Sequence, residues 1–330
     1  MINTTQTVSI IVPCYNEQKT IRLLLASIYQ QTFPKQKMEV IIADGLSTDN
    51  TRQEIHLFQQ AHPDLTVRVV DNPQRIIPAG LNQALAAAEG DIIVRLDAHS
   101  MPAEDYVQRC VAAIEAELGD NVGGLWEIQP GGDTWQARSI ASAAAHPLGV
   151  GDARYRVGGR AQEVDTVPFG AYHRSLIARV GNYDESLLTN EDYEFNTRIR
   201  QSGGQIWYDP AIKSKYVARN EIRSLARQYW RYGYWKMRML KRFPSAFRWR
   251  QLAGVFVISF PFLAILGIWF WWARWLLAIE IAVYLLALIL AGIQLAIKQR
   301  DLALIWGVPL AIATMHFSWG TAFIWSMISN

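Results

Sequence analysis

The residues with chemical potential fall into a few short groupings. Asp97 and His99 bracket Ala98 directly after the apolar run Ile92-Ile93-Val94-Arg95-Leu96. Alternate residues of an extended segment point the same way, so this carboxylate and imidazole can face one ligand. Alone, such a tripeptide also reads as a structural turn. Asn190-Glu191-Asp192 sets two acids side by side; they either offer a proton acceptor or, behind an Asn190 N-cap, favour the start of a helix. Asp44-Gly45 admits a plain turn or a carboxylate that accepts from a ring N–H or sugar hydroxyl, the glycine letting backbone approach closely. Asp49 fits a helix N-cap. Gln228, Arg231 and Tyr232 share one face at helical spacing, so a joint contact is feasible; the same stretch also reads as a basic helix lying on a membrane. His56, His62, His146 and His173 lack a second ligand at metal-binding spacing. Cys14 and Cys110 form no CxxC pair and sit among apolar neighbours, the pattern of buried free thiols.

The elements that must position these groups follow from periodicity. Val8 to Pro13 reads as a buried strand, and Ile21, Leu24, Leu25 and Ile28 then recur at helical spacing on one face. The alternation repeats with strand 40–43 and helix 50–60, strand 67–70 and helix 79–88, strand 92–96 and helix 103–118. This order predicts an α/β domain with a mainly parallel sheet. Ligands collect at the carboxyl ends of such strands, which here carry Asn16-Glu17, Asp44-Gly45, Asp71-Asn72 and Asp97-Ala98-His99. Past Leu118 a Gly-rich stretch reads as a second half joined to the same core. A dinucleotide-binding dehydrogenase is disfavoured, because no Gly-x-Gly-x-x-Gly follows the first strand.

Val8 through Glu17 resembles the opening strand of family 2 glycosyltransferases, and Ala43 through Thr51 resembles their second strand end. The resemblance covers nearly all of residues 8 to 240. Asn72-Pro73, Pro78 through Asn82, Arg95 through His99, Val164 through Val167, Phe169 through Tyr172 and Asn190-Glu191-Asp192 are similar, more narrowly, to the succinoglycan-biosynthesis ExoA-type membrane glycosyltransferases. This resemblance implies a GT-A-type (Rossmann-like) domain and inverting transfer of a hexose, glucose by this likeness, from a UDP-type nucleotide diphosphate sugar to a polyprenyl-diphosphate-linked sugar. Pro13, Tyr15, Asn16, Glu17, Asp44 and Asp97 would form the nucleotide-sugar site. Asp97 and His99 stand where the family carries its Asp-x-Asp metal motif, which implies divalent Mn or Mg. His99 departs from the usual third-position Asp, and imidazole shifts the site toward Mn²⁺ without excluding Mg²⁺. Asp192 becomes the general base and Glu191 its catalytic neighbour, orienting the acceptor or a nearby loop. Inversion requires one such carboxylate, not the nucleophile of a retaining mechanism. Gln228, Arg231 and Tyr232 resemble the Gln-x-x-Arg-Trp element of processive relatives, with Tyr for Trp, implying acceptor or diphosphate contacts.

Composition adds the membrane. The chain is 51% hydrophobic and 18% charged on average, but from Leu252 to Asn330 the charged residues are only Arg274, Glu280, Lys298, Arg300 and Asp301. The predicted layout is a catalytic domain over 1–220, a basic amphipathic interfacial segment over 221–251 and about three transmembrane helices over 252–330. Arg223 through Arg250 supply juxtamembrane cations suited to anionic lipid. A net charge of +3 gives no argument for nucleic acid. The polar first residues lack a signal peptide's pattern, so the catalytic domain is expected on the cytoplasmic side of the inner membrane, alongside other polysaccharide assembly proteins. Two alternatives remain open from sequence: transfer to bare polyprenyl phosphate, and a catalytically silent sugar-nucleotide-binding membrane scaffold.

Overall fold

β1 (Val8–Cys14), β2 (Met38–Asp44), β3 (Thr66–Asp71) and β4 (Ile92–Arg95) alternate with α1 (Ile21–Tyr29), α2 (Thr51–Ala61), α3 (Ile77–Ala87) and α4 (Tyr106–Glu115) in the computed structural model, which describes residues 5–248 and 256–329. The expected boundary at Gln251 and the start of the first apolar span at Leu252 lie outside these residues. The parallel ladders run in the order β3-β2-β1-β4, with Val8 opposite both Met38 and Ile92. That register places the carboxyl ends of the strands along one edge. Both faces are covered, which is why the strands read as continuous apolar runs. Ile10, Val12, Val40, Ile42 and Val94 pack with Leu24, Leu25 and Ile28 of α1 and Val107 of α4. Ile11, Ile41 and Ile93 pack on the other face with Leu81 and Leu85 of α3.

Beyond β4 the sheet departs from the mainly parallel expectation. After β5 (Met101–Pro102) come β6 (Asn121–Gln129), β7 (Gln162–Glu163), β8 (Ala171–His173) and β9 (Ile206–Val217). β8 runs antiparallel to β4 and β6, and β9 runs antiparallel to β5 and β7. These strands are not joined to their sheet neighbours by single crossover helices, the connection that parallel neighbours require. Cys14 and Cys110 are buried and free.

The chain divides into two compact units, one of Met1–Glu127 with Gly158–Tyr216, the other of Ile128–Val157 with Val217–Asn330. The first contains the parallel strands together with α8 (Leu176–Val180) and α9 (Glu191–Gln201). The second contains α5 (Trp135–Ala144), α6 (Pro147–Val150), α7 (Arg154–Val157), α10 (Ile222–Arg242), α11 (Ser259–Trp269), α12 (Trp271–Gln299) and α13 (Leu304–Ile328). This division differs from a single domain over 1–220. Segment 128–157 belongs with the helices because α5 packs on α13, with Ala137, Ile140, Ala141 and Ala144 buried.

Within the second unit α13 is the helix on which α5, α10 and α12 all pack. Gly233 of α10 permits a close approach, since a Cβ there would stand 2.2 Å from the Trp319 carbonyl oxygen. Arg138 pairs with Asp301 at 2.6 Å and Ser142 donates to Gln299 at 3.0 Å, tying α5 to the turn between α12 and α13. Glu280 and His316, within the apolar helices, both have partners, as burial in a low-dielectric setting demands. Glu280 accepts from Ser259, while His316 bonds through Nε2 to the Leu148 carbonyl at 2.9 Å and through Nδ1 to Tyr284 at 3.1 Å.

Among the described residues one helix, α12, is long and apolar enough to cross a membrane, against about three expected. Its mean hydropathy reaches 2.6 and only 17% of its most apolar stretch is buried. A core helix of a soluble protein would be covered, whereas Trp271 and Ile297 are 72% and 75% exposed. The apolar helix before it, Phe256–Trp269, is shorter than a bilayer core requires. α13 has the length, but it carries Pro309 and His316 and buries Val308, Ala311, Ile312 and Met315 against its neighbours. Its apolar residues are partly a protein-packing stripe.

Candidate active site

Four strand ends of the first unit supply the site. Asn16, in the left-handed region at φ 54, turns the chain out of β1. Its side chain accepts from the Thr48 N–H at 2.9 Å, and its own N–H donates to Ser47 at 2.8 Å. The loops after β1 and β2 are thereby stitched together. Tyr15 lies 43% exposed, its ring so close to Gly45 that a Cβ there would meet it at 3.0 Å, with the Arg75 guanidinium 5.8 Å from the ring centre. Pro13 packs behind this surface against Gly80.

Asp44 is fully buried. It accepts from Ser47 and, at 2.5 Å, from Arg52, whose other arm reaches Asp71 at 2.5 Å. The side chains facing outward here are Arg52 and Asp71, 44% and 63% exposed; sequence reasoning assigned them no role. Asp49 accepts from the Thr51 N–H at 3.0 Å and so helps cap α2.

Glu17 and His99 meet across the strand ends, Oε1 to Nδ1, at 3.1 Å. Burial pushes the Glu17 carboxyl up, but the bonds from His99 and Thr20 outweigh it and hold the group below its ordinary value. An imidazole oriented through one nitrogen by a carboxylate is a common arrangement for a metal ligand. Asp97 is a partly exposed carboxylate two residues away. No group of three or more metal-ligating side chains occurs among the described residues. Asp97 and His99 therefore fit a cation whose shell phosphate oxygens and water complete, the usual situation for Mg²⁺ and Mn²⁺ at nucleotide sites.

Arg95 is the residue that sequence reasoning missed. It ends β4 at 4% exposure and donates through Nη2 to Glu191 at 2.7 Å and to Asp97 at 3.4 Å. Burial alone would lower its pKa, but Glu191, Asp97 and Asp192 together raise it, so the guanidinium stays charged. The signal was available: a charged residue inside an otherwise apolar buried strand must have a buried partner.

Asp192 is the second residue of α9 and accepts from the Tyr193 N–H at 2.7 Å. Part of its surface remains open, yet loss of hydration, then repulsion from Glu191, raise its pKa to about 7 against the pull of Arg95. A carboxylate that titrates near neutrality is matched to taking a proton at physiological pH. Asn190 does not cap the helix through its side chain; it adopts φ 68 and its carbonyl accepts from Glu194 at 2.9 Å.

The remaining motif residues hold α9 in place. Asn82 donates to the Tyr183 carbonyl at 3.0 Å and to Glu185 at 2.8 Å, and accepts from the Tyr183 N–H at 2.9 Å. Tyr193 donates to Asp165 at 2.7 Å. Asn196 donates to Thr166 and Val167 and accepts from Asn121, all within the core.

Gln228, Arg231 and Tyr232 belong to the second unit, on α10. Gln228 donates to the Tyr232 hydroxyl at 2.9 Å. Leu225, Tyr229, Gly233, Lys236, Met239 and Leu240 form the buried stripe of this helix, while Arg223, Arg227, Trp230, Arg231, Lys241 and Arg242 are exposed. Tyr229 is buried because it falls on that packing stripe.

The profile of glycosyl transferase family 2 matches residues 9–181. The chain belongs to this family and is a glycosyltransferase with a GT-A fold. It is 30% identical over 318 residues to the succinoglycan biosynthesis protein ExoA of Rhizobium meliloti (strain 1021), covering 95% of this chain and 93% of that one. It is 26% identical over 318 residues to a dolichyl N-acetyl-alpha-D-glucosaminyl phosphate 3-beta-D-2,3-diacetamido-2,3-dideoxy-beta-D-glucuronosyltransferase of Methanococcus voltae, covering 94% of this chain and 93% of that one. Among solved structures the fold is similar to mannosyltransferase PcManGT from Pyrobaculum calidifontis, determined with GDP-Man and Mn²⁺, at a TM-score of 0.59 and 22% identity over 95% of this chain and 88% of that one.

Proposed function

We propose that this glycosyltransferase moves a hexose, glucose by its likeness to ExoA-type enzymes, from a UDP-linked donor to a polyprenyl-diphosphate-linked sugar, with inversion, in exopolysaccharide or cell-surface glycan synthesis. The observation that carries this reading is the meeting of the β4 end, which offers Asp97 and His99, with the start of α9 at Glu191-Asp192 through the Arg95 ion pairs, where loss of hydration also lifts the Asp192 carboxyl. Asp192 takes the proton of the acceptor hydroxyl as that oxygen attacks the anomeric carbon opposite the departing nucleotide diphosphate. The Tyr15 ring and the Asn16 loop receive the nucleoside, with Pro13, Glu17 and Asp44 shaping the loops that hold it. Asp97 and His99 hold a divalent cation, Mn²⁺ or Mg²⁺, which neutralises charge on the leaving diphosphate when bound. Gln228, Arg231 and Tyr232 contact the acceptor or its diphosphate.

Membrane attachment through α12 supports a lipid-linked acceptor, because confining enzyme and acceptor to one surface makes their encounter nearly intramolecular. We place the protein in the inner membrane as a multi-pass protein, its catalytic unit cytoplasmic, beside other polysaccharide assembly proteins. Membranes carrying the protein are to be incubated with radiolabelled nucleotide sugars, Mn²⁺ or Mg²⁺ and native lipid extract. A labelled lipid-linked oligosaccharide is the expected product. A lipid monophosphosugar instead would overturn the acceptor assignment, and absence of transfer with every donor would overturn the enzymatic reading.

A further inference from the structure

Glu191 and Asp192 are adjacent acids, and the proposed reaction needs one base. The structure assigns them different work: Arg95 is a positioning residue whose buried guanidinium locks Glu191 and Asp97 together, which makes Glu191 an internal counter-ion and reserves Asp192 for the acceptor. This inference rests on the transferase reading above and deepens it.

Three observations carry it. Arg95 and Glu191 side chains are 5% and 7% exposed and meet at 2.7 Å, the length of a charge-assisted bond. The same Nη2 reaches Asp97 at 3.4 Å, so one cation bridges the last residues of the β4 end and the first turn of α9. Those two elements are 96 residues apart in the chain. Finally, Asp192 accepts from the Tyr193 N–H rather than from Arg95. A buried cation with two carboxylate neighbours fixes the strand end and the helix start relative to each other, and so sets the spacing between the donor's leaving group and the base.

The test is a double-mutant cycle on the full chain in detergent, using Arg95→Met, Glu191→Met and the pair combined. Breaking a buried ion pair leaves an uncompensated charge, whereas replacing both partners by apolar groups is often neutral. Each single variant is expected to lower the melting temperature by several degrees, with the double variant recovering most of that loss. Transfer is expected to follow the same cycle, with kcat reduced about a hundredfold or more in each single variant and restored to within about tenfold in the double. Arg95→Lys should regain part of the kcat lost in Arg95→Met, with the KM for donor nearly unchanged between them. Recovery of melting temperature without recovery of kcat would show Glu191 acting directly on substrate and would overturn the assignment. Single variants with unchanged melting temperatures would remove the ion pair itself. Should the wild type transfer no sugar at all, the function proposal fails, and the melting-temperature arm still decides whether Arg95 and Glu191 act as one unit.

Discussion

Replacing Asp192 with Asn removes the proposed proton acceptor while keeping shape and polarity. With the carboxyl at about 7, its ionised fraction is about one half at pH 7 and about one tenth at pH 6. The base works only when ionised, and its pKa is raised, so activity is lost as pH falls through 7. For the wild type, kcat/KM should climb about tenfold per unit below pH 7 and level off above pH 8. Loss of a general base costs about 10²–10⁴ in rate, or about 3–5 kcal/mol of transition-state stabilisation. The assay is single-turnover transfer from labelled donor to lipid acceptor at fixed Mn²⁺, from pH 5.5 to 8.5, on wild type and Asp192→Asn. The variant should be slower by that factor and its profile should be flat where the wild type rises. A wild-type profile that is flat across this range, or an Asn variant within tenfold of wild type at pH 8, would refute the reasoning.

The same raised pKa has a consequence for stability: a group that binds its proton more tightly when folded contributes stability below its unfolded pKa of 3.8 and loses it as pH rises through about 7. Asp192→Asn should therefore be more stable than wild type at pH 8, by roughly 2 kcal/mol for a partly open group, with the gap narrowing as pH falls below 7 and closing only below about pH 4 in thermal melts. Glu17→Gln should raise the Mn²⁺ concentration needed for half-maximal transfer about tenfold or more, because it removes the charged partner that orients His99; an unchanged Mn²⁺ titration would mean that His99 is no ligand. Chelation should abolish transfer and Mn²⁺ should restore it. Gly233→Leu should lower the melting temperature, at a cost of about 1–3 kcal/mol, because even a Cβ would meet the Trp319 carbonyl at 2.2 Å.

The parallel half of the sheet was legible because two periodicities announce it. The run Val8 to Pro13 and the spacing of Ile21, Leu24, Leu25 and Ile28 locate β1 and α1 to within a residue or two of their observed ends. Burial of both sheet faces makes strand signals of this kind strong. The apolar tail was less legible for a physical reason: Leu, Ile, Ala and Trp suit lipid and protein packing alike. α13 looks like a span in composition, yet Val308, Ala311, Ile312 and Met315 are buried in the helical unit. Only contact geometry separates these cases. The membership of 128–157 was hidden similarly, since nothing in α5 names α13 as its partner.

The site shows the same divide at finer scale. Strand-end position alone picked out Asp97, His99 and Glu17, since polar residues must terminate apolar strands where ligands enter. What position cannot reveal is which acid is internal and which faces the substrate. Successive residues on an α-helix point about 100° apart, so two adjacent acids at the start of α9 can meet different surroundings. Glu191 is turned into the core, where only a buried cation makes it tolerable, and Arg95 is that cation. Asp192 keeps part of its surface exposed, and loss of hydration, then the Glu191 charge, lift its pKa. The pair is thus one device: the inward acid anchors the helix and raises the proton affinity of the outward one. A single residue of helical rotation separates anchor from base.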